Sequence, residues 1–143
     1  MNYELRITNY VFLILYYNIV MKSSDENIIV VKSKNFALRI IKLYQYLTDS
    51  KKEFILSKQV LRSGTSIGAN VKEGIRGQSK PDFYAKLSIS LKEASETEYW
   101  LELLNESGYL EGHEKDFDSL YAECQEIIKI LVSILKTRRK INS

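Results

Sequence analysis

The stretch LRSGTSIGANVKEGIRGQSKP, Leu61 to Pro81, holds four of the six glycines and the only proline of the chain. Most of it nevertheless reads as helix. At about 100° per residue, Val60, Gly64, Ile67, Val71 and Ile75 fall on one side, with Leu61 and Gly68 beside them. The glycines therefore sit inside an apolar stripe, on a helix expected from about Phe54 to Gly74. Gly64 and Gly68, four apart, would let another helix come close, although each costs up to about 1 kcal/mol in helix propensity. A phosphate-binding loop is the poorer reading, because no strand precedes the segment and neither GxGxxG nor Walker spacing is present. On the opposite side, Arg62, Ser66, Asn70 and Glu73 lie within about 80° of one another. A wet face would more often carry Lys and Glu, so this column of short polar side chains is expected to fit a partner surface or a neighbouring helix; an ordinary solvated face is the alternative. Gly74 and Gly77 are expected to close the helix in the left-handed conformation. Ser79, with Asp82 three residues on and Pro81 in the first turn, reads as the N-cap of the next helix.

Working outward, three more helices follow from periodicity. From about Ile28 to Leu47, Phe36, Ile40, Leu43, Tyr44 and Leu47 recur at three-and-four spacing, and Thr48-Asp49-Ser50 closes the run. The third helix, about Lys80 to Ser107, carries two stripes. Phe83, Leu87, Leu91, Ala94 and Leu101 form one; Ile89, Trp100 and Leu103, with Glu93 and Glu96 among them, form another nearly opposite. A bundle needs one buried face per helix, so the second stripe is expected to meet another subunit. After NESGYLEGHEKD, the residues Phe117, Leu120, Tyr121, Cys124, Ile127, Ile128, Leu131, Ile134 and Leu135 hold the repeat for about five turns, which makes Cys124 a core residue. Lys136, Arg138, Arg139 and Lys140 of the KTRRK tail are either favourable charges at a helix C-terminus or phosphate contacts. Four amphipathic helices with short turns define an all-α fold, an antiparallel up-and-down four-helix bundle.

The chain of 143 residues is 45% apolar and 27% charged with a net charge of +3, enough for one domain with its own core. The charge is a mild bias, compatible with an RNA or DNA partner. One cysteine excludes an internal disulfide and fits a reducing, cytoplasmic setting. With one histidine beside it, no His/Cys metal cluster and no cofactor are expected, and little material remains for a nucleophile pair. The apolar run Tyr10 to Val20 is too short to span a bilayer as a helix and lacks a signal peptide's flanks. Residues 1–20 are accordingly expected to be a dispensable extension, with Met21 the working start and 21–143 a single bundle domain.

The segments RSGTSIGANVKEG, Arg62 to Gly74, and FYAKLSISLKEASETEYWLELL, Phe83 to Leu104, together with SGYL, Ser107 to Leu110, resemble the four-helix-bundle family of 23S rRNA intervening-sequence proteins. The motif positions are Arg62, Ser66, Asn70, Glu73, Gly74 and Glu96. Many members of that family carry Gly-Ser where this chain has Lys92-Glu93. The resemblance implies a homopentameric ring, with genes sometimes lying inside insertions in 23S rRNA genes, and a fold similar to the accessory protein of diversity-generating retroelements. It supplies no established activity.

Three functions follow as expectations. The first is a non-enzymatic homo-oligomeric interaction protein associated with ribosomal or other structured RNA, acting without a small-molecule substrate or a membrane, although no aromatic-basic stacking platform is visible in the sequence. The second is a Mg²⁺-dependent nucleotide hydrolase using Glu73, Glu93 and Glu96 as oxygen ligands. The third is a purely structural oligomer.

Overall fold

The computed structural model describes residues 28–142, with side chains described as far as Arg138. The apolar run Tyr10–Val20 and the Met21 start lie outside the described residues. Four helices follow in order: α1 Ile28–Asp49, α2 Leu56–Ile75, α3 Lys80–Glu106 and α4 Glu114–Asn142. Among the described residues there is no strand.

Pairings between helices fix the antiparallel topology. Down α2 and up α3, Arg62 meets Glu93 and Glu96, the Ser90 hydroxyl donates to the Ile67 carbonyl, and Glu73 meets Lys86. Likewise Lys32 pairs with Glu126 and Arg39 with Glu123 between α1 and α4. Each helix packs on its neighbour in sequence and α1 closes on α4, giving the up-and-down four-helix bundle that the periodicity implies. The core is built from Phe36, Ile40 and Leu47 of α1, Val60, Ile67 and Val71 of α2, Leu87, Ala94, Leu101 and Leu104 of α3, and Leu120, Cys124, Ile127 and Leu131 of α4. Cys124 is fully buried and donates to the Ala94 carbonyl at 3.3 Å. Desolvation, with a contribution from Glu98, pushes its thiol up to about 12, as befits a packing residue rather than a nucleophile.

The α2–α3 seam is lined by hydroxyls that an apolar count overlooks. Ser63, Ser90 and Thr97 are buried, and the Thr97 hydroxyl lies 2.8 Å from the Ser63 hydroxyl and 2.7 Å from the Glu93 carbonyl. Each hydroxyl finds an acceptor, so burial leaves no polar group stranded. Leu91, expected in the buried stripe, is only partly buried.

The glycines divide differently from the sequence expectation. Gly64 faces α1, where an added Cβ would stand 2.8 Å from Ile40 Cγ1, and at Gly68 it would stand 3.2 Å from Ser33 Oγ. Close approach is confirmed there. Gly74 and Gly77, in contrast, do not adopt the left-handed conformation. The helix runs on through Ile75 and Arg76 keeps right-handed angles, so Gly74 serves a second close approach, its absent Cβ 3.1 Å from Lys86 Cβ and 3.3 Å from the Phe83 carbonyl. The left-handed glycines are Gly108 and Gly112, both at φ +88°. Gly108 ends α3 in a Schellman arrangement, with the Tyr109 N–H donating to the Leu104 carbonyl and the Gly108 N–H to the Asn105 carbonyl. Ser79 caps α3 as expected, accepting from the Asp82 N–H at 3.2 Å.

Lys52, in the turn after α1, holds φ +54° without being glycine. Lys52→Gly removes the Cβ strain of that conformation and is expected to raise stability by up to about 1 kcal/mol, read as a higher urea midpoint at unchanged slope.

Candidate functional site

The polar column of α2 is turned to uses within the chain. Ser66 donates to the Arg62 carbonyl at 2.6 Å and Asn70 to the Ser66 carbonyl at 2.8 Å, so both short side chains bond back to their own helix. Arg62 leans across to α3, where its guanidinium donates to Glu96 and lies 3.3 Å from Glu93. The Trp100 indole N–H donates to the same Glu96 oxygen at 3.1 Å. The Arg62 hydrogen bond, reinforced by Trp100, holds the Glu96 carboxyl below the usual carboxylate range, and the same bond raises Arg62. Of the two surfaces proposed for this column, the neighbouring helix is the one Arg62 meets. Glu93 supplies its second carboxylate. Glu73 is elsewhere, paired with Lys86 at 2.9 Å.

This arrangement does not assemble the three carboxylates expected of a hydrolase. Glu93 and Glu96 share Arg62 while Glu73 is held by Lys86, and no group of three metal-ligating side chains forms among the described residues. Gly74, the last α2 motif position, lies under α3 as a packing contact.

The outer face of α3 carries the second stripe. Ile89 is 40% exposed and the neighbouring Tyr99 49%, while Trp100 and Leu103 are partly buried. Trp100 also packs against the rim of the core, so it is shared between the bundle and its surface. In the tail, Lys136 is exposed, whereas the Arg138 guanidinium sits 5.2 Å above the Tyr84 ring, a cation–π contact that ties the end of α4 to α3. The side chains of Arg139 and Lys140 lie outside the described set.

The family model of the 23S rRNA-intervening sequence protein matches residues 25–133, which includes α1, α2, α3 and most of α4. The chain belongs to this family. The crystal structure of a protein of unknown function from the S23 ribosomal protein family, from Bacteroides thetaiotaomicron VPI-5482, is 50% identical in sequence. It matches with a TM-score of 0.73, covering 76% of this chain and 99% of that one. Among curated proteins none matches.

None of the intervening-sequence motif residues lines the groove that opens between α1 and α4. It has a volume of about 380 Å³ and is walled by Arg39, Lys42 and Tyr46 on one side and by His113, Asp116 and Phe117 on the other, over a floor of Leu43, Leu110 and Leu120. Tyr46 and His113 meet edge to face at 4.9 Å, and Phe117 stacks on Tyr121 at 5.3 Å. The Tyr121 hydroxyl in turn donates to Glu102 at 2.5 Å, a bond that, with burial, pushes its pKa up to about 12. An aromatic-basic platform absent from the linear sequence is thus assembled by the fold. Periodicity hid it, because Phe117 and Tyr121 read as core positions, Tyr46 belongs to none of the expected stripes, and His113 reads as part of a turn.

Proposed function

We propose that the protein is a non-enzymatic, cytoplasmic interaction protein that self-associates, as a pentamer, and works with ribosomal or other structured RNA. The observation that carries the self-association is the outer face of α3. Ile89 and Tyr99 are exposed there beside Trp100 and Leu103, on a bundle whose core is already closed on its other side. The RNA partner is supported by the family's own description, by the net charge of +3, and by an α1 whose charged side chains are Lys32, Lys34, Arg39 and Lys42 against Asp49 alone. No helix of the described residues is long and apolar enough to cross a membrane.

Native mass measured with and without total RNA, at low and moderate salt, tests both halves. The expected result is a ring-sized assembly of the 16.6 kDa chain that takes up RNA at low salt and releases it as salt rises. An assembly indifferent to RNA would favour a purely structural oligomer. Ile89→Glu is expected to shift the mass to smaller species while helix content is kept, since this side chain is largely outside the core. Retention of the native mass would remove the α3 face as the subunit contact.

A further inference from the structure

The α1–α4 groove combines three properties that the proposed RNA partner would need in one place. Its aromatic walls come from both helices and the α3–α4 turn, bringing Tyr46, His113 and Phe117 around one opening. Its volume of about 380 Å³ lies at the small end of clefts that hold a single ligand group. Its charge is graded along the seam. Glu126 engages Lys32 and Glu123 engages Arg39, but Lys42, nearest the aromatic cluster, makes no ion pair among the described residues.

We propose that this groove binds single-stranded RNA, one base lying against Tyr46, His113 and Phe117 and an adjacent phosphate on Lys42. The proposal rests on the RNA reading above and gives it a site. Stacking on aromatic faces tolerates any base, and a cation beside them takes the phosphate, which is how single strands are held without sequence preference. The aromatic walls decide between this ligand and an acidic peptide, since a base has a π face to lay against them and a carboxylate has none. Asp116 stands on the rim with its side chain 82% exposed and 3.7 Å from His113 Nδ1; it repels any polyanion alike, and a base can donate an N–H to it. A paired duplex has its bases stacked inside and offers none to the groove.

The test is fluorescence anisotropy of the full chain with a labelled single-stranded RNA of about ten nucleotides, within the usual site size of such modules. Two variants, Lys42→Glu and His113→Ala, are compared with the unmodified chain; both residues are exposed and outside the core. Lys42→Glu is expected to weaken binding about tenfold or more and to reduce the slope of log affinity against log salt by about 0.7, the value for one lost phosphate contact on a single strand. His113→Ala should cost about fivefold or more through lost stacking, with little change in that slope. If both variants bind as tightly as the unmodified chain, the groove is not the site although the RNA reading stands. If the unmodified chain binds no RNA, both fail together. Equal affinity for a duplex of the same sequence, or displacement of the RNA by polyglutamate at the concentration where RNA itself competes, would also overturn the assignment.

Discussion

Gly64→Val is expected to destabilise the bundle by about 3 kcal/mol, at the upper end of what overpacking a core commonly costs. Two terms oppose each other. Replacing glycine within a helix recovers part of its propensity penalty, less than about 1 kcal/mol for a β-branched residue. Against this, a Cβ alone would lie 2.8 and 2.9 Å from the two γ carbons of Ile40 and 3.2 Å from its Cβ. Ile40 is fully buried, and the contacting atoms lie close to its own backbone, so it has little freedom to yield. The two methyls of valine add volume that α1 and α2 can accommodate only by moving apart. The overpacking therefore wins. Chemical denaturation of Gly64→Val, Ile40→Ala and the double variant checks the cause. Ile40→Ala alone should cost about 2 to 5 kcal/mol by leaving a cavity, yet the double variant should cost at least about 1 kcal/mol less than the sum, because each change fills or empties the same space. Strict additivity would place the strain elsewhere.

That contact also marks how far the sequence could be read. The spacing of Gly64 and Gly68 within the Val60–Ile67–Val71 stripe is a local property, and it correctly announced a close helix neighbour. The identity of that neighbour is not local. Gly64 and Gly68 receive α1, whereas Gly74, less than two turns beyond Gly68 on the same helix, receives α3 and reads as a helix end because glycine is common in both roles. The helices themselves were legible because each holds a long apolar repeat, as from Phe117 to Leu135. The buried Ser63, Ser90 and Thr97 escaped because their hydroxyls are satisfied across or along helices, and a partner at a distance of 23 or 34 residues leaves no trace in hydrophobic periodicity.

The candidate site was legible in part for the same reason. Arg62 and Glu96 were singled out from the motif, and they are joined in the fold. Glu73 was grouped with Glu93 and Glu96 on chemistry alone, but its place one turn before the α2–α3 hairpin sets it beside Lys86 instead. The groove could not be found, since Tyr46 and His113 meet only when α1 and the α3–α4 turn reach the same end of the bundle. Position along a helix face was readable; height along the bundle was not, because it depends on where the turns fall.

Glu53→Ala is expected to cost about 2 kcal/mol, an effect larger than any surface ion pair of this chain should produce. Its carboxylate, almost wholly buried, stands at the N-terminus of α2 and accepts from the backbone N–H groups of Ile55 at 2.7 Å, Leu56 at 2.9 Å and Ser57 at 3.1 Å. Those donors belong to the opening of the helix, where no earlier carbonyl is available to them. The Ser57 hydroxyl completes the arrangement by donating to the Glu53 carbonyl at 2.8 Å. Glutamate is not among the favoured capping residues, and the helix starts at Leu56 rather than near Phe54; the longer side chain works here because the turn folds it back over the helix end. Alanine would leave buried donors without an acceptor and remove negative charge from the positive end of the helix dipole. Glu53→Gln keeps an acceptor oxygen but not the charge, so it should lose less than the alanine variant while still falling below the unmodified chain. A thermal or urea series in which glutamine and alanine cost the same would mean that charge, not hydrogen bonding, fastens this end of α2. If neither costs anything, the helix start is held by the packing of Leu56 and Val60 alone.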